Sequence, residues 1–162
     1  MRVFAVSGWS KTGKTTLVEE LIKALLARGY RVATIKSTHE DILDKPGTDT
    51  YRHQKAGANP SILLGKNGTM INYSERLEIK TFAELDVEFL IIEGMKRSII
   101  PKVWCSKKKD TSWKDFPDIR AIVSRDLNPT QGEKSIPILH PDDIESIVSI
   151  ILREAIPVTD IS

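Results

Sequence analysis

Eight residues near the start of the chain, Gly8 to Thr15, read GWSKTGKT and satisfy the pattern GxxxxGK[ST] at every specified position. That spacing serves one kind of chemistry. Successive backbone N–H groups curl around a phosphate, and the helix that follows adds the partial positive charge of its N-terminus. A lysine ammonium then reaches the β- and γ-phosphates while a hydroxyl ligates Mg²⁺. Gly8 and Gly13 permit backbone geometry that a Cβ would obstruct, Lys14 is the reaching ammonium, and Thr15 carries the hydroxyl. With Ser10, Lys11, Thr12 and Thr16 they make up the expected nucleotide contacts.

A loop of this kind needs a carboxylate to hold the metal's water shell, normally at the end of a buried strand. Glu93 directly follows the apolar run Phe89, Leu90, Ile91, Ile92 and precedes the turn residue Gly94. Its alternative role is a strand-end carboxylate that simply reaches water. Asp49 is a second metal-facing candidate and, beside Lys14, a candidate for catalysis through the activation of water; a helix N-cap is its alternative. His39 lies in a polar loop near the expected γ-phosphate, where it is either functional or a solvated loop residue; His53 sits on a short helix and His140 before a helix start, and neither of these two has partners at metal-ligand spacing. Lys96, Arg97, Lys102, Lys107, Lys108, Lys109 and Lys114 gather between Met95 and Pro117 with Trp104 and Trp113 among them. Lacking any period, this stretch reads as a mobile basic flap. Its lysine run is either solvated surface or a grip for a phosphate-bearing or heterocyclic partner.

The elements that must position these residues follow from the pattern of apolar side chains. Val3–Val6 is a short apolar strand, and from Thr15 to Arg28 the period becomes helical, with Leu17, Val18, Leu21, Ile22 and Leu25 on one stripe and Gly29 closing the helix. Glu19 and Lys23 form an i,i+4 pair on its exposed side. Arg31–Ile35 returns to strand pattern, which completes a βαβ unit. A polar loop leads to a short helix capped by Thr48 or Asp49; Ser61–Leu64 and Met70–Tyr73 then form a hairpin around Gly65–Gly68. Val87–Ile92 is the most apolar strand and belongs in the centre of the sheet. Arg120–Val123 and Ile136–Leu139 add two strands, and Pro141–Ile156 is a closing helix that buries Ile144, Ile147, Val148, Ile151 and Ala155. The expected fold is α/β: a P-loop NTPase whose mainly parallel central sheet is flanked by helices and carries a small β-hairpin extension.

The bulk properties agree with one domain over residues 1–162. A chain that is 40% hydrophobic and 28% charged can bury a core without metal or disulfide, and its lone Cys105 has no partner for one. No stretch approaches the ~18 apolar residues of a membrane span, and the apolar run at the N-terminus is too short for a signal peptide, so the expected location is the cytoplasm. A net charge of +2 argues against a nucleic-acid ATPase, for which only the basic stretch speaks. A small-molecule P-loop kinase is the other alternative, since a flexible basic flap is also a way to close over phosphates.

Three segments, GWSKTGKTTLVEELI, DKPGTDTYRHQKAGA and FLIIEGMKRSIIPKV, resemble in order and spacing the molybdopterin-guanine dinucleotide biosynthesis protein B family, MobB. The resemblance covers about two-thirds of the chain. It implies a homodimeric, Mg²⁺-dependent GTP-binding protein with at most slow hydrolysis, acting as an adaptor to the MobA-type guanylyltransferase that attaches GMP to molybdopterin, with molybdopterin a further candidate ligand. Carried over by position, Gly13, Lys14 and Thr15 bind phosphate and Mg²⁺, while Asp49 and Glu93 face the metal. The chain departs from the family in having Ser37 and Glu40 around its single His39, where members show a histidine cluster, and Thr48 where they show a lysine. It has no NKxD guanine-reading motif; Asp126, at the end of AIVSRD, is the candidate acceptor for a guanine edge.

Overall fold

The computed structural model describes residues 1–40, 42, 44–107, 110–127 and 136–161. They divide into two compact units, Met1–Thr38 with Ala83–Ser162, and His39–Phe82. In chain order the elements are β1 (Arg2–Gly8), α1 (Lys14–Ala27), β2 (Val32–Lys36), α2 (Asp49–Lys55), β3 (Ser61–Gly65), β4 (Gly68–Asn72), β5 (Phe89–Glu93), β6 (Lys102–Cys105), β7 (Ile119–Val123), β8 (Ile138–Leu139), α3 (Ile144–Glu154) and β9 (Ile156–Pro157).

The first unit is built on a sheet in the order β2-β5-β1-β6-β7-β8, every neighbouring pair parallel, with β9 antiparallel to Arg2 and Val3 of β1. The two strands of the βαβ unit therefore run in one direction but are not neighbours, because β5 is inserted between them. This arrangement sets the carboxyl end of β5 directly beside that of β1, with Glu93 opposite Val6. Parallel strands covered on both faces must be apolar throughout, and β1 from Val3 to Val6 and β5 from Leu90 to Ile92 are almost wholly buried.

One face of the sheet presents Phe4, Val6, Phe89, Ile91, Val103, Cys105, Ala121 and Val123 to Leu17, Val18, Leu21 and Leu25 of α1 and to Ile147, Val148 and Ile151 of α3. Full burial of each such aliphatic side chain contributes about 1.5–3 kcal/mol. α1 ends where Gly29 takes a left-handed φ of 84°. On its solvent side Lys23 pairs with Glu20 at 2.7 Å, one turn position away from the expected Glu19. α3 begins at Asp143, whose carboxylate accepts from the Ser146 N–H.

The stretch from Met95 to Pro117 is not the mobile basic flap that its composition suggests. It contains β6, inserted between β1 and β7, and residues 100–106 are all buried. Trp104 and Trp113 pack with Ile122 and Ile138 in a second cluster on the opposite face, so both indoles are core side chains. Lys102 is fully buried, and its ammonium donates to the carbonyls of Ser98 at 2.6 Å and Pro117 at 2.7 Å. Burial pulls its pKa down to about 8, opposed by Asp118. A lysine that would be prohibitively costly to bury alone is accommodated because two main-chain oxygens satisfy it. Lys108 and Lys109 of the expected lysine run lie outside the described residues.

In the second unit β3 and β4 form the expected hairpin, Ile62 opposite Ile71 and Leu63 opposite Met70. Thr48 is the N-cap of α2, its hydroxyl accepting from the Tyr51 N–H at 3.2 Å. That leaves Asp49 as the first helical residue, 3.8 Å from the Arg52 guanidinium and exposed. Asp44 braces this turn through the hydroxyls of Thr48 and Thr50, whose hydrogen bonds hold its carboxyl below the usual aspartate range.

Candidate functional site

The phosphate-loop sequence lies where its chemistry requires, between the carboxyl end of β1 and the first turn of α1. Gly13 precedes the helix with φ 86° and ψ 12°, and no side chain caps the helix there. The first N–H groups of an α-helix have no intrahelical partner. With neither a capping side chain nor an acidic residue in the first turn, the amide groups from Lys14 onward and the positive end of the helix dipole are left to an anion.

The loop is braced by its own atoms. The Trp9 carbonyl accepts from the Thr12 hydroxyl at 2.9 Å and from the Lys14 ammonium at 2.5 Å. Gly8, at φ 139°, runs so close to β6 that a Cβ would stand 2.4 Å from the Cys105 carbonyl oxygen. Burial holds the Lys14 pKa below its ordinary value; Glu93 opposes the shift, and the neighbouring charges of Lys96 and Lys36 add to it. The Cys105 thiol beneath the loop is pushed up to about 12 by burial and stays protonated at neutral pH.

Glu93 reaches the loop. The Thr15 hydroxyl donates to its carboxylate, 3.0 and 3.1 Å from the two oxygens. The carboxylate is held from behind by the sheet: the Ser37 N–H donates to the Glu93 carbonyl at 2.9 Å and the Gly94 N–H to that of Val6 at 3.0 Å. The Ser7 hydroxyl also donates to the Gly94 carbonyl. One hydroxyl and one carboxylate are the hard oxygen donors that Mg²⁺ takes when phosphates and water complete its octahedron. No group of three or more His, Cys, Asp or Glu side chains placed to hold a metal occurs among the described residues.

Behind the loop opens a cleft of about 360 Å³, large enough for a nucleoside. Lys11, Thr12, Gly13 and Thr16 form its loop side, and its far wall comes from the carboxyl ends of β6 and β7 and the approach to α3, where Ser106, Asp126 and Asp142 line it. In open parallel sheets ligands bind outside the carboxyl ends of the strands, which is where this cleft lies. The structure thus gathers Gly8, Lys11, Thr12, Gly13, Lys14, Thr15, Thr16 and Glu93 around one region of the first unit; Ser10 is an exposed residue of the same loop. Asp49 and His39 belong to the second unit.

Two neighbours of Lys14 have no signature in the motif. Trp9 is 45% exposed, and its indole N–H donates to the Ser112 hydroxyl at 2.6 Å while its ring meets those of Trp104 and Phe116 edge-on. Lys96 sets its ammonium 3.9 Å from the centre of the Trp9 ring, a contact that contributes about 0.5–1 kcal/mol at a surface site.

Comparison with known proteins follows the same lines. The family model described as molybdopterin guanine dinucleotide synthesis protein B matches residues 3–125. A relative from Methanocaldococcus jannaschii is 36% identical over 137 residues, covering 79% of this chain and 56% of that protein. The molybdopterin-guanine dinucleotide biosynthesis adapter protein of Escherichia coli is 39% identical over 114 residues, covering 62% of this chain and 63% of that protein. The chain thus spans less than two thirds of the length of either relative. The fold is shared with the crystal structure of Bacillus subtilis MobB, at a TM-score of 0.75 and 23% identity over 96% of this chain and 98% of that one. Since the family model runs from the first strand, through the phosphate loop and Glu93, to just past β7, the chain belongs to the molybdopterin guanine dinucleotide synthesis protein B, or MobB, family.

Proposed function

We propose that this protein binds GTP with Mg²⁺, hydrolyses it slowly at most, and serves as an adapter in molybdopterin guanine dinucleotide biosynthesis. The observation that carries the nucleotide reading is the Thr15 hydroxyl on the Glu93 carboxylate at the uncapped N-terminus of α1. In this reading the amide groups of the first turn and Lys14 take the phosphates. Mg²⁺, held by Thr15 and through water by Glu93, would neutralise charge between the outer phosphates. The cleft behind the loop receives the nucleoside, with Asp126 on its rim as an acceptor for the N–H groups of a guanine edge.

The adapter role and its partners, a MobA-type guanylyltransferase and molybdopterin, are inferred from family membership and from the name of the Escherichia coli relative. A homodimer is inferred with them. The hairpin supports it: large apolar side chains alternate to both of its faces, with Ile62 and Leu63 about half exposed and Leu64 78% exposed, and strands of that kind need a cover. The protein should sediment at twice the chain mass; a monomer at micromolar concentration would count against this arrangement.

The test of the metal site is calorimetric titration with GTP, with magnesium and with a chelator present. We expect Mg²⁺ to tighten binding, and Glu93→Gln to remove about tenfold of affinity from the magnesium arm alone, the cost of one outer-shell contact. Equal affinity with and without Mg²⁺ in the unsubstituted protein would refute the metal assignment.

A further inference from the structure

The strand order gives the site a polarity. The cleft for the nucleoside lies on the side of β6, β7 and α3, while Glu93 stands on the opposite side of β1, at the end of β5. A triphosphate laid from the cleft through the loop would therefore point its terminal phosphate toward the turn that follows β5. That turn is built firmly. Gly94 at φ 113° and Met95 at φ 52° are consecutive left-handed residues, and a Cβ on Gly94 would stand 3.0 Å from the Ser37 carbonyl oxygen. The Ser98 N–H and hydroxyl both bond the Met95 carbonyl, at 3.1 and 2.9 Å, and close the turn.

The turn returns the chain across the end of β1, where the Lys96 ammonium meets the Trp9 ring while the Lys14 ammonium bonds the carbonyl of that same residue. Two cations thus converge on one loop residue from opposite elements, Lys14 from α1 and Lys96 from the segment after β5. They are close enough that the charge of Lys96 helps to lower the pKa of Lys14. Like charges brought together at a surface repel, and an anion between them relieves that repulsion. The indole contacts Ser112, Trp104 and Phe116, and its ring holds Lys96 near the mouth of the loop.

Resting on the reading of Gly8–Thr15 as a triphosphate site, we propose that Lys96 is a second phosphate-binding cation, which leaves the Trp9 ring to engage the terminal phosphate and so distinguishes a nucleoside triphosphate from a diphosphate. Lys14 grips both ligands, whereas Lys96 answers only to the longer one.

The test is titration of the full chain with Mg·GTP and Mg·GDP, following heat and tryptophan emission, in the unsubstituted protein, Lys96→Met and Lys96→Arg. Lys96→Met should weaken GTP about tenfold and GDP by less than about twofold, and Lys96→Arg should restore most of the loss. GTP should change the emission of the unsubstituted protein more than GDP does, and Trp9→Phe should remove that difference. An equal loss for the two nucleotides, or no loss for either, with unaltered emission on GTP, overturns the role of Lys96 while leaving the phosphate loop standing. If the unsubstituted protein binds neither nucleotide, the triphosphate reading falls and takes the assignment of Lys96 with it.

Discussion

Lys14→Ala is expected to abolish measurable Mg·GTP binding at micromolar protein while leaving the melting temperature almost unchanged. The Lys14 side chain is only half buried, and within the loop its ammonium bonds the Trp9 carbonyl, which keeps a second donor in the Thr12 hydroxyl when the ammonium is removed. Folding therefore loses little. Binding loses a charge-assisted contact to a polyanion in a recess where Lys14 is already partly desolvated, a loss of about 3 kcal/mol or roughly a hundredfold in affinity. Calorimetry on both proteins under one buffer checks this, with a thermal melt as the control. Undiminished GTP affinity in the variant would remove Lys14, and with it the loop, from the site.

Gly8→Ala is expected to damage the fold as well as the site. Its Cβ would lie 2.4 Å from the Cys105 carbonyl oxygen and 3.2 Å from the Thr12 hydroxyl, and the backbone φ of 139° is one that L-residues rarely adopt. The obstacle is main chain on β6, which is paired to β1 through Gly8 and Cys105 themselves and cannot retreat without opening the sheet. Strain and displacement together should cost about 3 kcal/mol of stability, measured as a lowered urea midpoint, and nucleotide binding should be lost alongside. A fully stable variant would mean that β1 and β6 separate more easily than this geometry allows. Gly13 offers a contrast, because nothing lies within 4 Å of a Cβ there and the cost of substitution is confined to its left-handed φ of 86°.

The parts of this site that local sequence determines were readable from it. Gly8, Gly13, Lys14 and Thr15 are spaced within one loop, and the turn of helix that follows is dictated by Leu17, Val18 and Leu21. Glu93 was readable because a run of four apolar residues ends on it. Where contacts are distant in the chain the sequence was silent or misleading. Lys102 makes β6 look polar and exposed, and only Ser98 and Pro117, brought round by the chain on either side, turn it into a buried residue. The charges of that stretch drew attention from Val103, Trp104 and Cys105, a strand too short to announce itself by period. Trp9 and Lys96 became neighbours of Lys14 through a turn whose path depends on Ser7 in β1 and Ser37 just past the end of β2. A two-residue strand such as β9 carries no periodicity at all; it forms because Ile156 and Pro157 emerge from α3 beside Arg2, whose guanidinium bonds the carbonyls of Leu152 and Ala155.

The central claim is that the main-chain amide groups at the start of α1 enclose the phosphates of a nucleotide. It is tested most directly by following the backbone N–H resonances of Gly13, Lys14, Thr15 and Thr16 as Mg·GTP is added to the isotopically labelled protein. These four should move far downfield together and saturate at the calorimetric affinity, ahead of every other amide in the chain. Saturating GTP that leaves them in place while shifting resonances elsewhere would contradict the account.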